Sequence, residues 1–270
     1  MRRPPFVLYA GAAIVAALGA CALLAPWIAP YPPNAVDSGM AFAPPSATHW
    51  AGADGLGRDV FSRIVHGARP SLLSAVGIVA IGLGGGALIG ALAALIGGAT
   101  EQIVMRVTEI VMALPGLVIA LALTAALGPS LVNLTLALGV LSIPFYVRLV
   151  RGETLTLRER GFVKAARAMG AGPLWLAVRH IAPNLAPVLA VYGTMGLSGA
   201  VLAASALSFV GLGAQPPMAE WGALIFDGSQ TLLTEWWVAV FPGIAVALSA
   251  LGFNLLGDGL RDWLDPRGDA

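Results

Sequence analysis

The side chains that most often carry out chemistry in enzymes are few and scattered in this sequence. It has three histidines, His49, His66 and His180, one cysteine, Cys21, and one lysine, Lys164. The histidines lack the spacing of a catalytic triad or a metal site, and no glycine-rich loop of the Walker A type precedes the lysine. No G-x-S-x-G or H-E-x-x-H pattern is present. We therefore expect no catalytic centre, no cofactor and no bound metal ion, and structural or interfacial roles for His49 and His66.

Cations are instead concentrated in one segment, residues 161–184, with the sequence GFVKAARAMGAGPLWLAVRHIAPN. Helical spacing predicts a first short helix that ends at Gly170, and Pro173 is placed to start a second one that Pro183 stops. Each helix would carry one apolar stripe. The stripes consist of Phe162, Ala165, Ala166 and Met169 in the first helix and of Leu174, Val178 and Ile181 in the second. Cations that only fix membrane topology need neither stripe, so the pattern favours a docking surface for a soluble partner.

The composition is that of an integral membrane protein. Of 270 residues, 58% are hydrophobic and 11% are charged, whereas about 25% of the residues in a soluble domain are charged. The mean hydropathy is +0.84. A helix needs about 20 apolar residues to cross the ~30 Å hydrocarbon core of a bilayer. The sequence predicts an all-α protein with six transmembrane helices, at about residues 6–27, 71–98, 107–127, 131–150, 185–209 and 238–257.

Two of these spans depend on local signals. The run at 6–27 is longer than the apolar region of a signal peptide and ends without a small-x-small cleavage pattern, so we expect it to be a retained first span. Residues 128–130, Gly-Pro-Ser, divide one long uncharged run into the third and fourth spans.

Two polar segments between spans lie on one side of the predicted membrane, opposite the basic segment at 161–184. Residues 31–70 form an insert, and Val60, Ile64 and Leu72 among its cations predict a short amphipathic helix at the membrane interface. The loop at 211–237 contains three tryptophans, Trp221, Trp236 and Trp237, which we expect to lie in an interfacial aromatic belt.

The placement of cations predicts the orientation of the helices. If the N-terminus is cytoplasmic, most cations face the cytoplasm, in agreement with the positive-inside rule. The cytoplasmic cations would be Arg2, Arg3, Arg106, Arg148, Arg151, Arg158, Arg160, Lys164, Arg167, Arg179, Arg261 and Arg267. The outer side would carry only Arg58, Arg63 and Arg69. Both termini are therefore predicted to be cytoplasmic.

Small residues recur every fourth position along the second span. They are Gly82, Gly86, Gly90 and Ala94. A strip of this kind lets another helix approach closely in lipid. The partner helix could belong to the same chain or to a second subunit, and the sequence leaves these two alternatives open.

Several motifs together resemble one transport family. The segment KAARAMGA…HIAPN resembles the EAA loop of ATP-binding-cassette (ABC) importer permeases, which docks into a groove of the ATPase subunit. The motifs GADGLGRDVFSRIVHGARPSL, ALSFVGLGAQPP…WG and FNLLGDGLRDWLDPR are similar to those of the C-type permeases of the dipeptide, oligopeptide and nickel importers. The resemblance extends over residues 52–267, nearly the whole chain.

The resemblance implies a type I ABC importer permease with no enzymatic activity of its own. The chain would consist of a first span with an extracytoplasmic segment (1–69), a permease domain (70–258) and a cytoplasmic tail (259–270). The permease domain would contain a cytoplasmic coupling loop at 151–184. The implied partners are a second permease subunit, two cytoplasmic ATPases that hydrolyse ATP, and an extracytoplasmic solute-binding protein. The residues implied to contact the ATPase are Phe162, Lys164, Ala165, Ala166, Arg167, Met169, Gly170 and Ala171.

Departures from the family pattern affect the docking contact and the substrate. Lys164 stands where the EAA loop usually has Glu, so we expect an acidic partner for it on the ATPase. Ala182 replaces a usual Leu, and Ala204 stands where the resemblance leads us to expect an acidic residue. The implied solute is a di- or oligopeptide, with nickel or another small solute as the alternative. A self-sufficient secondary transporter is disfavoured because the central turns of the spans contain no ionisable residue.

Overall fold

The computed structural model describes residues 6–264, which are almost entirely helical. Within this range the only β-type pairing is an isolated bridge between Ala53 and Asp59. The helices are α1 (Phe6–Ile28), α2 (Val60–Ile96), α3 (Gly98–Met112), α4 (Gly116–Leu127), α5 (Leu131–Arg158), α6 (Gly161–Ala168), α7 (Pro173–Leu176), α8 (Ala182–Phe209), α9 (Trp221–Ser229) and α10 (Trp237–Leu264).

Five helices of the described chain are long and apolar enough to cross a membrane. They are α1, α2, α5, α10 and the helix that α7 and α8 form together through a π-helical turn at Ala177–Ile181. A sixth crossing is formed if α3 and α4 together count as one span. The all-α architecture with five to six apolar helices confirms the predicted fold class.

The second span differs from its prediction at its start. Helix α2 begins at Val60, where the Asp59 carboxylate accepts a hydrogen bond from the Ser62 amide at 2.7 Å, and continues for 37 residues. The prediction of a separate interfacial helix is therefore wrong, because its residues form the first turns of α2. Pro70 lies inside this helix without ending it.

The third span is not one straight helix. Helices α3 and α4 meet at 85° across residues 113–115. Pro115 is the N-cap of α4, and proline pushes the residue before it out of the helical region of backbone space. The predicted break at 128–130 is confirmed: Gly128 ends α4 with a φ of +91°, and the Ser130 hydroxyl accepts a hydrogen bond from the Asn133 amide that starts α5.

The helices pack around one main apolar cluster in the middle of the bundle. Its buried members include Ile78 of α2, Leu134 of α5, Val201 of α8 and Phe253 of α10. Helix α1 lies on α10, where a Cβ on Gly259 would lie 2.5 Å from the Leu8 backbone. The bundle thus leaves two opposite ends, each formed by the loops and helix termini of several segments.

We call these two ends the insert end and the basic end. The insert end consists of residues 29–59 and 210–236, and the basic end consists of the C-terminal parts of α2 and α5 with residues 159–184. At the insert end, the indole N–H of Trp237 donates to the Ala53 carbonyl at 3.2 Å, and that of Trp221 donates to the Ile64 carbonyl at 2.9 Å.

These two tryptophans are buried, with 1% of Trp221 and 9% of Trp237 exposed. The prediction that they belong to an interfacial belt is therefore wrong, since their side chains hold the insert and α2 against α9 and α10. Of the three tryptophans only Trp236, which is 47% exposed, fits that prediction.

Candidate functional site

The basic segment begins as its sequence predicts, with a short helix α6, a turn at Gly170 and a second helix that starts at Pro173. Helix α6 ends in a Schellman motif, in which the Gly170 amide donates to the Arg167 carbonyl and the Ala171 amide donates to the Ala166 carbonyl. Gly170 has a φ of +88°, a conformation that disfavours residues with a Cβ atom. Pro173 then occupies the first turn of α7. The prediction that Pro183 stops the second helix is wrong, because the helix continues through the π-helical turn into α8.

Burial divides the predicted stripe of α6 between two surfaces. Val163 and Ala166 are buried, at 1% and 3% exposure, in an apolar cluster with residues of α2, α5 and α7. Phe162, Ala165 and Met169 are exposed instead. Ala166 therefore supports the segment from inside, and we correct the prediction that it shares one outward face with the other three.

An apolar patch remains on the outer surface of the basic segment. It consists of Phe162, Met169, Leu174, Trp175 and Val178, each at least 41% exposed, and we call it the α6–α7 patch. A depression of about 380 Å³ lies within it, with Met169, Gly170 and Trp175 in its walls. The predicted second stripe is likewise divided, because Ile181 is fully buried. Contiguous exposed apolar surface beside cations is typical of a protein or membrane contact.

Two arginines bind the end of α2, Arg158 from the end of α5 and Arg167 from α6 in the basic segment. The Arg158 guanidinium donates to the Ala94 carbonyl at 2.9 Å, and that of Arg167 donates to the Leu95 carbonyl at 3.3 Å. Both carbonyls belong to the last turn of α2, where cations are favoured by unpaired carbonyls and by the helix dipole. Arg151 of α5 adds a bond to Glu101 of α3 at 2.7 Å. Helices α5 and α6 are thus both hydrogen-bonded to the end of α2.

Lys164 has a partner within its own chain. Its Nζ lies 3.0 Å from Glu159 Oε2, and both side chains are more than half exposed. The hydrogen bond from Lys164, followed by its positive charge, lowers the pKa of the Glu159 carboxyl. The pair sits between α5 and α6 on the surface. A carboxylate on another protein is thus not required to explain Lys164.

The small-residue strip of α2 packs against α5 of the same chain. A Cβ on Gly86 would overlap the Tyr146 side chain, and one on Gly90 would lie 2.6 Å from the Val147 carbonyl oxygen. Gly82 faces Ser142 in the same way, and Ala94 is fully buried. Of the two alternatives that the sequence leaves open, the structure thus favours packing within the subunit.

Polar residues of the insert mostly stabilise its own fold. His49 Nδ1 lies 2.9 Å from Asp59 Oδ1, and the imidazole stacks on Tyr31. His66 Nδ1 lies 2.9 Å from the carbonyl oxygen of Ser62. Between residues 6 and 264, no three histidine, cysteine or acidic side chains are grouped so that they could hold a metal ion.

A cluster of four charged residues was not predicted from the sequence. Asp54, Arg58, Arg63 and Asp227 come together beside a cavity at the insert end. Arg58 and Arg63 were interpreted only as outer-side topology charges. Asp54 and Arg58 belong to the GADGLGRD motif, and Arg63 follows shortly after it. Asp227, however, is far from this motif in the sequence.

Comparison with known families identifies the class of protein to which this bundle belongs. The family model described as "Binding-protein-dependent transport system inner membrane component" matches residues 86–269. The chain belongs to this permease family. A second model, the N-terminal TM domain of oligopeptide transport permease C, matches residues 7–45. The predicted resemblance to C-type ABC importer permeases is thereby confirmed.

The permease is similar over most of its length to curated transport proteins. It is 45% identical to the probable D,D-dipeptide transport system permease protein DdpC of Escherichia coli K12, over 91% of this chain and 82% of the relative. It is 44% identical to the di/tripeptide transport system permease protein DppC of Pseudomonas aeruginosa, over 92% and 84%. The glutathione transport system permease protein GsiD of Pectobacterium atrosepticum is 40% identical, over 97% and 87%.

Proposed function

We propose that this permease translocates di- or oligopeptides as one subunit of an ATP-driven importer. Its partners would be a second permease subunit, two cytoplasmic ATPases and an extracytoplasmic solute-binding protein. The proposed division of the chain is a first span and outer segment (1–69), a permease domain (70–258) and a tail (259–270). ATP hydrolysis would occur on the ATPases and not on this chain.

The peptide substrate is supported by the relatives. Three of them, at 40–45% identity and over at least 91% of this chain, have names that specify a D,D-dipeptide, di- and tripeptides, or glutathione. These ligands share a peptide-like backbone and at least one free carboxylate. A short peptide is therefore the simplest substrate that agrees with the names of all three relatives.

The distribution of cations supports a cytoplasmic basic end. Within the described chain, the basic-end half carries nine cations: Arg106, Arg148, Arg151, Arg158, Arg160, Lys164, Arg167, Arg179 and Arg261. The opposite half, which includes the insert end and the first turns of α2, carries three, Arg58, Arg63 and Arg69, and the first two are near carboxylates. An excess of lysine and arginine marks the cytoplasmic side of a membrane protein. We therefore propose that both termini are cytoplasmic.

The α6–α7 patch is the proposed docking surface for an ATPase. The observation that carries this proposal is an exposed apolar corner, centred on Met169 at 82% exposure, that is attached through Arg167 to the end of α2. Phe162, Ala165 and Met169 would enter the ATPase groove, and Gly170 and Ala171 would form the turn between the helices. Ala166, Lys164 and Arg167 would hold the patch in place from within the chain.

Reconstitution tests the proposed function. The permease, its second permease and the ATPases are placed in proteoliposomes with the binding protein, and uptake of radiolabelled Ala-Ala, a tripeptide and Ni²⁺ is measured with and without ATP. We expect ATP-dependent uptake of the peptides. ATP-dependent uptake of Ni²⁺ alone would refute the peptide assignment, and uptake by this chain without ATPases would refute the coupling to ATP.

A further inference from the structure

A cavity at the insert end has the size of a small-ligand site. Its volume is about 530 Å³, within the range of about 300–1,000 Å³ that is typical of ligand pockets. The insert, the first turns of α2, the loop after α8, and α9 form its walls. The charged and amide side chains in these walls are Asp54, Arg58, Arg63, Gln215, Asp227 and Gln230.

Arg63 is the more deeply buried of two buried charged residues in the cavity walls, the other being Asp54. Only 2% of Arg63 is exposed. Among residues 6–264, nothing forms a hydrogen bond with its Nε or Nη1. A guanidinium has five N–H donors and no acceptor, and a buried donor without a partner is costly. The side chain therefore has unused donors, and an anionic group would reach Nε and Nη1 after a shift of the side chain, because both atoms are closed to solvent.

The two carboxylates near Arg63 do not meet this requirement. Asp54 accepts bonds from the Leu56 and Arg58 amides and, at 2.7 Å, from Arg58 Nε. Its Oδ2 lies 3.5 Å from Arg63 Nη1 without forming a hydrogen bond. Asp227 Oδ2 lies 4.0 Å from Arg63 Nη2, outside hydrogen-bonding distance.

Asp227 is the second charged group of the cavity, and in contrast to Arg63 its side chain is 40% exposed. Its Oδ2 lies 3.9 Å from Arg58 Nη2, also outside hydrogen-bonding distance. Burial raises the pKa of the Asp227 carboxyl, and the charges of Arg63 and Arg58 oppose that rise. A cation in the cavity would favour the ionised carboxylate. Arg63 and Asp227 thus offer one site for an anion and one for a cation within a few ångströms.

We propose that this cavity binds a short zwitterionic peptide, with its carboxylate on Arg63 and its ammonium group near Asp227. A guanidinium binds a carboxylate through two parallel hydrogen bonds, which are stronger than bonds between neutral groups. The identification of the ligand as a peptide rests on the proposed function. The cavity would hold the solute on the permease itself, separately from the binding protein.

Equilibrium binding tests this site without the binding protein. The complex of both permeases and the ATPases, in nanodiscs, is titrated with radiolabelled Ala-Ala and then competed with N-acetyl-Ala-Ala and with Ala-Ala amide. We expect the amide to compete about tenfold or more weakly than Ala-Ala, because it lacks the charged hydrogen-bond acceptor. N-acetyl-Ala-Ala should lose less affinity than the amide, since its carboxylate remains.

Three variants separate ligand binding from a structural role of Arg63. Arg63→Met removes the charge, and Ala223→Leu narrows the cavity without changing any charge. Arg69→Met is the matched control, because it removes an exposed arginine that lies on the same helix outside this cavity. We expect the first two to weaken Ala-Ala binding about tenfold and the control to leave it unchanged.

Several results would overturn the proposal. One is equal competition by the acid and the amide. Another is a less stable Arg63→Met complex together with unchanged binding in Ala223→Leu, which would give Arg63 a structural role only. If Arg63→Met weakens docking of the binding protein and the complex alone binds no peptide, the carboxylate belongs to the binding protein. Peptide uptake without peptide binding by the complex refutes this site alone, and peptide binding without ATP-driven uptake refutes the proposed function alone.

Discussion

Two adjacent alanines of α6 provide the sharpest test of how the basic segment is built. Ala166 is 3% exposed and packs among apolar residues that include Val150 and Leu176, whereas Ala165 is exposed. Glutamate at either position adds the same charge and volume. The structure therefore predicts that Ala166→Glu damages the permease itself and that Ala165→Glu damages only its contact with the ATPase.

The loss of stability expected for Ala166→Glu depends on whether the buried carboxyl group is ionised or protonated. It can remain ionised without a partner, at a cost of several kcal/mol, or take up a proton. Protonation at pH 7 costs about 3.7 kcal/mol, because the usual pKa of about 4.3 lies 2.7 units lower and each unit is 1.36 kcal/mol. Forcing the larger side chain into a packed core adds about 1–3 kcal/mol. These terms sum to about 5–7 kcal/mol for a fully buried carboxyl, and because Ala166 borders the surface depression beside Met169, partial exposure of the new side chain lowers the expected loss to about 3–5 kcal/mol.

The assay compares thermal melting of the purified permease with its co-purification with the ATPases. Ala166→Glu should lower the melting temperature by about 10 °C. Ala165→Glu should melt with the parent, since exposed substitutions usually change stability by less than about 0.5 kcal/mol, but should lose ATPase binding and ATP-driven uptake. Ala99→Glu, at an exposed position of α3, controls for added charge. Parental melting of Ala166→Glu would refute the burial argument, and normal uptake by Ala165→Glu would refute the docking surface.

Three further tests address local geometry. Gly90→Leu should destabilise the permease by about 1–3 kcal/mol, because its side chain meets the α5 backbone, whereas Gly84→Leu, with open space around it, should melt like the parent; equal melting of the two would contradict the packing of α2 on α5. Gly170→Ala should cost about 1–2 kcal/mol because of its left-handed backbone, and unchanged melting would contradict that conformation. Lys164→Glu should lower uptake, and adding Glu159→Lys should restore it by reversing the surface pair; rescue only by a change on the ATPase would show that the partner lies there.

The predicted span positions succeeded where hydropathy alone decides. Long apolar runs located α1, α5, α8 and α10 to within a few turns, because a bilayer requires such runs. The 85° bend between α3 and α4 was missed, since a window average carries no information on direction. The local signal was Leu114-Pro115, whose backbone preference disfavours a continuous helix.

The prediction that α6 has a single apolar face failed for a different reason. Helical spacing groups residues by angle, but α6 has only eight residues and apolar side chains lie around much of its circumference. Which side faces the core is decided by the partners, here the ends of α2 and α5 and the residue Leu176. Val163, absent from the predicted stripe, is the better buried residue. The identity of the docking surface therefore required the positions of helices that are distant in sequence.

The insert-end cavity shows why counting charges led to a proposed orientation but missed a candidate site. The positive-inside rule sums lysines and arginines per loop, and in that sum Arg63 is one cation on the sparse side. Its burial arises only because α2 begins at Val60, which places Arg63 in the second turn beneath the insert, and because α9 brings Asp227 to within 4.0 Å from 164 residues away. A charge that contributes to topology while exposed acquires a specific energetic role once it is buried. The same residue type thus has different consequences at Arg69, which is exposed six residues later, and at Arg63. That contrast is the reason the two arginines form the matched pair in the binding experiment.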